Sequence, residues 1–196
     1  MTFDEATALR TASEQFRTTG YAAMSIDDQC AAAGLSRSSL YATFGDKRTL
    51  LLLDLSDDCA EIVSSVKAEL TTGSPDARLR LSEFIRAAAR AGLVDPQGCL
   101  LERSTVELAA TDPQVVAYAA DVLDLLHRLL ADTVMEAQRH CSVHHAINCM
   151  AAASLLLATL RGISALALGG CTDEVVIQAA EQALSQLRPA PTDVGH

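Results

Sequence analysis

Residues 25–47 read SIDDQCAAAGLSRSSLYATFGDK, which is the pattern of two short helices separated by a tight turn. Ser25 followed three residues later by Asp28 forms a variant of the helix-capping box. Gly34 stands where the backbone of a sharp turn needs a positive φ. Ser36 comes next but one and is placed to cap a second helix. Two helices of about two turns each, joined this closely, predict a helix-turn-helix.

The rest of the chain is also predicted to be helical. Its 196 residues are 49% hydrophobic and only 4% aromatic, with Ala and Leu dominant. This composition excludes a disordered chain and favours an all-α fold of about nine helices. The predicted helices cover residues 4–19, 26–34, 37–44, 47–70, 76–91, 97–110, 113–139, 143–168 and 173–187. The pairs Ser74-Pro75, Asp95-Pro96 and Asp112-Pro113 are the expected starts of the fifth, sixth and seventh helices.

The charge is unevenly distributed along the chain. The formal net charge is −10, which taken alone argues against binding to nucleic acid. Residues 1–50 hold five basic and six acidic groups, whereas residues 51–196 hold the other 10 basic and 19 acidic groups. The N-terminal part is therefore nearly neutral, and it can contact phosphates locally.

The helix-turn-helix and its flanks resemble the TetR family of transcriptional regulators. The residues that carry the resemblance are Ala12, Phe16, Gly20, Tyr21, Ser25, Ile26, Ala31, Gly34, Leu35, Ser36, Leu40, Tyr41, Phe44, Lys47 and Leu50. The resemblance implies a homodimer of all-helical protomers that binds double-stranded operator DNA and is released by a small-molecule effector. It also implies a DNA-binding domain over residues 1–46 and an effector-binding and dimerisation domain over residues 47–188, followed by a disordered tail at 189–196.

Carried onto this sequence, the resemblance gives a set of DNA contacts. The residues expected at the DNA are Ser25, Ser36, Arg37, Ser38, Ser39, Tyr41, Thr43 and Lys47. Arg37 and the two serines after it would face the major groove, where an Arg can read a guanine. Two departures from the family pattern stand out. Gln29 occupies a position that prefers a large apolar residue, and Asp4 and Glu5 open a helix that often has a basic extension.

Helices eight and nine carry apolar residues on more than one side and are expected to form a four-helix interface between two protomers. Residues expected at the effector site are Cys99, Arg103, His127 and Arg161. An alternative hypothesis is a regulator that senses oxidants, electrophiles or metal through Cys99 or through the cluster His140–Cys149. A thiol at a helix N-terminus can have a lowered pKa, which favours such reactivity.

Other classes of protein are disfavoured by the sequence. We find no phosphate-binding loop, dinucleotide-binding glycine motif or nucleophile elbow, so neither an enzyme nor a cofactor is expected. The interval between Arg139 and Arg161 lacks charged residues, but it contains histidines and Asn148. A helix buried in a bundle is the interpretation we favour over a membrane span. We expect a cytoplasmic protein with reduced thiols.

Overall fold

The computed structural model describes residues 5–95 and 99–189. In these ranges the regular elements are nine α-helices and no strand, which confirms the predicted all-α class. The helices are α1 (Glu5–Thr19), α2 (Ile26–Ala33), α3 (Arg37–Phe44), α4 (Lys47–Thr71), α5 (Ala77–Val94), α6 (Leu100–Leu108), α7 (Pro113–Arg139), α8 (Cys149–Leu168) and α9 (Asp173–Ser185).

The chain divides into two compact units. The first comprises Met1–Ile62 and Gly98–Asp121, and the second comprises Val63–Gln97 and Val122–His196. The first unit therefore combines α1, α2 and α3 with the beginning of α4, with α6 and with the beginning of α7. The second combines the end of α4 with α5, the remainder of α7, α8 and α9.

The first unit is held together by apolar side chains that recur at helical spacing. Ala12 and Phe16 of α1 are almost completely buried, as are Leu40 and Phe44 of α3. This is the spacing expected when one face of each helix packs against its neighbours. A large apolar side chain fully buried in this way contributes about 2 kcal/mol by removal from water.

The second unit has a larger core between α5, α7, α8 and α9. Its centre includes Leu81, Ile85, Val134, Leu156 and Val176, which are all essentially inaccessible to solvent. Each of the four helices buries one stripe in this core. The opposite faces of these helices are available for other interactions.

Two helix starts differ from the sequence prediction because side-chain caps were misassigned. The N-cap of α5 is Asp76, not Ser74, because the Asp76 carboxylate accepts a hydrogen bond from the backbone N–H of Arg78 at 2.9 Å. The N-cap of α6 is Cys99, and no side-chain capping bond supports it. The prediction that Asp95-Pro96 opens α6 is therefore wrong, because Asp95 closes α5 instead. Pro96 lies outside the described residues. Residues 190–196 of the predicted tail also lie outside them.

The start of α8 was also predicted six residues too early. The turn before it is closed by the side-chain amide of Gln138, which donates to the carbonyls of His144 at 3.0 Å and Ile147 at 2.7 Å. Asn148 then caps α8 by accepting from the N–H of Ala151 at 3.0 Å. The Gln138 bonds keep the preceding residues out of the helix.

Among the described residues, α8 is long and apolar enough, by length and composition alone, to cross a membrane. One face of it nevertheless packs in the core of the second unit through Ala153, Leu156, Leu160 and Ile163. Arg161 interrupts the apolar sequence. Burial of one stripe in a protein core is typical of a helix in a bundle.

Candidate functional site

The turn between α2 and α3 is fixed by the caps that the sequence predicts. The Ser25 hydroxyl accepts from the N–H of Asp28 at 3.1 Å, and the Asp28 carboxylate accepts from the N–H of Ser25 at 3.1 Å. The hydrogen bonds from Ser25 hold the pKa of Asp28 below its usual value. Gly34 ends α2 in the left-handed conformation with φ 65°, and Ser36 caps α3 by accepting from the N–H of Ser39.

Helix α3 turns almost its whole surface to solvent. Only Leu40 and Phe44 are buried, and they attach the helix to the unit beneath it. The exposed residues of the helix are Arg37, Ser38, Ser39, Tyr41, Ala42 and Thr43. Five of the eight residues predicted to contact DNA thus lie together on one exposed helix, with Ser36 at its N-terminus.

Arg37 is bound to Asp27 of α2 by two hydrogen bonds. Its Nε donates to Asp27 Oδ1 at 2.5 Å, and one of its terminal nitrogens donates to Asp27 Oδ2. Both side chains are largely exposed. The hydrogen bond from Arg37 holds the pKa of Asp27 below its usual value. Sequence reasoning missed Asp27, although its position at the start of α2 and that of Arg37 at the start of α3 were both visible.

Lys47 occupies a different environment from the residues of α3. Its Nζ lies 4.4 Å from the centre of the Tyr21 ring, within the range of a cation–π interaction. Partial burial lowers the pKa of Lys47, while the charge of Glu107 acts in the opposite direction. Lys47 is thus packed against its own protein as well as being a predicted contact to the DNA backbone.

The departure at Gln29 has a structural explanation. The side chain is buried, and its amide donates to the thioether sulfur of Met24 at 2.7 Å. A polar residue at this apolar position is tolerated because its donor is satisfied inside the unit. The helix-turn-helix geometry is retained despite the substitution.

Arg103 lies in α6, where it binds α1. It donates to the backbone carbonyl of Arg17 at 2.7 Å and pairs with Glu107 at 3.1 Å. Glu107 in turn accepts from the N–H of Ala22 at 3.1 Å. Gly20 lies in this contact with φ 88°, and a Cβ atom there would overlap the Glu107 carboxylate. Arg103 was predicted at the effector site, and the structure places it in this contact of the first unit.

The second unit contains an open cleft between α7 and α8 that includes two of the predicted effector residues. It has a volume of 410 Å³ and is lined by Leu123, Asp124, His127, Ser154, Leu157, Ala158 and Arg161. The Nε2 atom of His127 lies 3.0 Å from both the carbonyl of Met150 and the hydroxyl of Ser154. These contacts fix the ring across the cleft. Cys99 and Arg103 belong to the first unit instead.

The six cysteines all lie in the described ranges, and none of them forms a disulfide bond there. In the described ranges no three side chains of His, Cys, Asp or Glu come together as metal ligands would. Within the cluster His140–Cys149, the rings of His144 and His145 stack on each other at 4.5 Å. The thiol of Cys149 donates to the side-chain carbonyl of Gln138. Cys99 is half-buried at the N-terminus of α6.

Asp54 of α4 is a buried carboxylic acid that sequence reasoning missed. It is only 4% exposed, and its Oδ2 atom has no hydrogen-bond partner. Burial raises its pKa to about 7, the charge of Asp58 adds to the increase, and a hydrogen bond with Ser13 opposes it. The signal in the sequence was the position of Asp54 inside the run Leu50–Leu55, where every neighbour up to Leu55 is a leucine.

Residues 8–53 match the family described as bacterial regulatory proteins, tetR family. The matched segment contains most of α1, the whole helix-turn-helix and the beginning of α4. Residues 8–53 therefore form a segment of the tetR type. The helix-turn-helix of this chain lies inside that segment.

A comparison with individual proteins agrees with this match. The chain is 32% identical over 128 residues to an uncharacterized HTH-type transcriptional regulator, YezE, of Bacillus subtilis (strain 168). The match covers 59% of this chain and spans only 60% of the length of that relative.

Solved structures share the fold over nearly the whole chain. A cysteine mutant of the TetR family regulator CifR, complexed with 26bp double-strand operator DNA, superposes with a TM-score of 0.80 at 24% identity, covering 94% of this chain and 97% of CifR. The reduced form of Escherichia coli NemR superposes with a TM-score of 0.84 at 16% identity, covering 95% and 98%. At these identities the likeness shows the TetR fold.

Proposed function

We propose that this TetR-family chain is a homodimeric repressor that binds a palindromic operator through α3 and is released by a small organic effector. The observation that carries the proposal is the exposure of α3, which is anchored by Leu40 and Phe44 and presents Arg37 with several hydroxyl groups to solvent. Arg and Ser side chains on an exposed recognition helix suit base edges and phosphates. The net charge of −10 does not oppose this, because the acidity is concentrated after residue 50.

The DNA-binding proposal can be tested by selecting bound duplexes from a random pool. We expect the wild-type chain to recover one palindromic sequence. Arg37→Ala should weaken binding about fivefold to a hundredfold and relax the preference at one base pair of each half-site. Lys67→Ala, which removes an exposed cation of α4 outside the first unit, is the matched control and should change little. Binding without sequence preference, or unaffected by Arg37→Ala, would refute the proposal.

The dimer is supported by apolar side chains that the protomer leaves exposed on α8 and α9. The larger ones are Met150, Leu155 and Leu168 on α8 and Val175 and Ile177 on α9. Small residues on α8, including Ala151 and Gly162, would allow a second helix to approach closely. A Cβ atom added at Gly162 would meet nothing within 4 Å in the protomer. A helical face of this kind is typical of an interface between subunits.

The cleft of the second unit supports a small organic effector. Apolar atoms form most of its walls, and Asp124, His127, Ser154 and Arg161 supply polar groups among them. This combination is typical of sites that bind small molecules. A compound with an apolar body and a hydrogen-bonding group would match these residues.

The effector proposal is tested by screening compounds for release of the selected operator. Among compounds that release the wild-type chain, those that bind in the cleft should require higher concentrations with His127→Ala. His145→Ala removes an exposed histidine outside the cleft and is the matched control. An unchanged response of His127→Ala to every active compound would place the effector elsewhere.

A cysteine-based sensor is the second candidate. Cys99 occupies the N-cap position of α6. Arg103 of α6 binds the carbonyl of Arg17 in α1, and Glu107 of α6 binds the N–H of Ala22 just after α1. Oxidation or alkylation of this thiol would therefore act on a helix of the first unit that contacts the end of α1. Helix N-terminal N–H groups stabilise a thiolate, which is the reactive form. The similarity to the solved structures of CifR cysteine mutants and of the reduced form of NemR supports the same candidate.

Operator release by peroxide or a quinone separates the two candidates. If Cys99 is the sensor, Cys99→Ser should abolish release by these reagents while operator binding persists. Cys171→Ser, which changes an exposed thiol on the second unit, should leave the response intact. If an organic effector acts alone, both variants should respond to it as the wild-type chain does.

A further inference from the structure

The ion pair between Asp27 and Arg37 connects the first turn of α2 with the first residue of α3. Arg37 is disfavoured at this position on local grounds, because the N-terminus of a helix carries partial positive charge. Ser36, which caps α3, adds no negative charge to offset it. Asp27 supplies that charge from the neighbouring helix.

The geometry of the pair leaves part of the guanidinium group accessible. Asp27 binds the side of the group that contains Nε and one terminal nitrogen. The opposite edge, with the other terminal nitrogen, keeps its donors. A guanidinium presents five donors in a rigid planar fork, so fixing one side also fixes the direction of the other. Arg37 is 64% exposed and Asp27 is 63% exposed, so solvent and ligands can reach the free edge.

We infer that Asp27 is a positioning residue for base recognition, which holds Arg37 so that its free edge reads a guanine in the major groove. The inference rests on the proposed DNA-binding function. Paired donors that are already oriented lose less conformational freedom on binding the O6 and N7 acceptors of guanine. An unrestrained Arg37 would reach phosphates and other bases equally well.

The same carboxylate has an opposite effect on binding to DNA in general. Asp27 brings a negative charge next to the phosphate backbone, which weakens binding to any sequence. The pair therefore exchanges overall affinity for selectivity. Removal of Asp27 should strengthen non-specific binding and reduce discrimination between sequences, and these opposite changes separate a positioning role from simple repulsion.

The test uses the full-length chain with the operator selected by the wild-type protein and with copies in which the guanine read by Arg37 is replaced by adenine. The variants are Asp27→Ala, Arg37→Ala and the double substitution, with Glu14→Gln as the control. Glu14 is an exposed acid of the same unit that pairs with Arg17, so its loss removes a charge without touching Arg37. Affinities are measured by fluorescence anisotropy at several salt concentrations, together with an unrelated duplex.

We expect Asp27→Ala to lose at least about fivefold of the guanine preference, and to lose it at the same base pair as Arg37→Ala. The double substitution should lose little more, because both changes remove one interaction. Binding of the unrelated duplex should strengthen with Asp27→Ala. Glu14→Gln should keep the full preference. Equal strengthening of all duplexes by Asp27→Ala, with the preference unchanged, would overturn the inference and leave Asp27 as a repelling charge.

The outcome also separates this inference from the proposed function. A wild-type chain that selects no sequence would overturn both. A wild-type chain that selects an operator, combined with an Asp27→Ala variant of undiminished preference, would overturn only the positioning role. Urea unfolding of each variant checks that the fold is intact, since an exposed ion pair of this kind contributes little to stability.

Discussion

Replacing Asp54 with Asn should make the stability of the first unit less sensitive to pH. Asp54 is buried between residues of α4 and α1, with Ser13 and Arg17 on α1 and with Asp57 and Asp58 on its own helix. Burial is the main reason why the pKa of Asp54 is raised to about 7, and the charges of Asp58 and Asp57 add to the increase. The hydrogen bond with Ser13 and the charge of Arg17 lower the pKa. Asn has the same shape and cannot ionise, so it imitates the protonated acid.

The sign of the effect follows from the raised pKa. An Asp in an unfolded chain titrates near 3.9, so between about pH 4 and pH 7 the folded state holds a proton that the unfolded state has lost. The stabilisation is complete below the lower value and is lost as the pH rises through the upper one. A difference of about 3 pKa units corresponds to about 4 kcal/mol, of which about 2 to 3 kcal/mol falls between pH 5 and pH 8.

The assay is urea unfolding followed by tyrosine fluorescence at pH 5 and pH 8. The chain contains no tryptophan, and its three tyrosines, Tyr21, Tyr41 and Tyr118, all belong to the first unit, so the signal reports on that unit. Relative to the wild-type chain, Asp54→Asn should gain about 2 to 3 kcal/mol between the two pH values. The comparison between pH values cancels any constant cost of the amide.

Asp121→Asn is the control for a change of charge alone. Asp121 is an exposed residue of the same unit. Its replacement should change the free energy of unfolding by a similar small amount at pH 5 and at pH 8. Asp58, whose pKa is also raised by burial, remains in both proteins and leaves some pH dependence behind. If the difference between Asp54→Asn and the wild-type chain were the same at pH 5 and pH 8, Asp54 would not be protonated in the folded protein.

Two further pairs of substitutions test the contact at Gly20 and the proposed dimer interface. Gly20→Ala should destabilise the first unit by about 2 to 3 kcal/mol, because it combines left-handed strain with displacement of Glu107. Gly34 also has a positive φ but open space around it, so Gly34→Ala should cost only about 1 to 2 kcal/mol. Equal losses of stability in the two variants would contradict the role of Glu107. Ala151→Glu should convert the dimer to monomers in analytical ultracentrifugation and abolish operator binding, because a charge buried in an apolar interface is costly. Ala87→Glu, on the exposed face of α5, should do neither. A dimeric Ala151→Glu protein would show that the interface lies elsewhere.

The helix-turn-helix could be predicted from sequence because its signals are local. Ser25, Gly34 and Ser36 each act on backbone groups within three or four residues, and the structure has each of them in the predicted role. Cap assignments failed where a nearby residue competed, as at Asp76, or where a distant side chain intervened, as with Gln138 before α8. Local patterns do not contain that information.

The candidate site was predictable to a smaller extent. The residues of α3 follow from the recognition-helix pattern, whereas the pairing of Arg37 with Asp27 requires the angle between two helices. Arg103 was expected near an effector because a sequence does not show that α6 packs against α1. The cleft at His127 depends on which faces of α7 and α8 meet, and apolar periodicity gives a face without its partner.

The attachment of α6 to α1 also bears on how such proteins can be recombined. The carbonyl of Arg17 and the N–H of Ala22 are bound by Arg103 and Glu107, which lie more than eighty residues later in the chain. If the predicted DNA-binding domain, residues 1–46, were fused to the remainder of another regulator, both backbone groups would lose these partners. Its Gly20 would also face whatever side chain the recipient offers. Exchange of this domain between regulators, in evolution or in the laboratory, therefore requires that α6 be transferred together with residues 1–46.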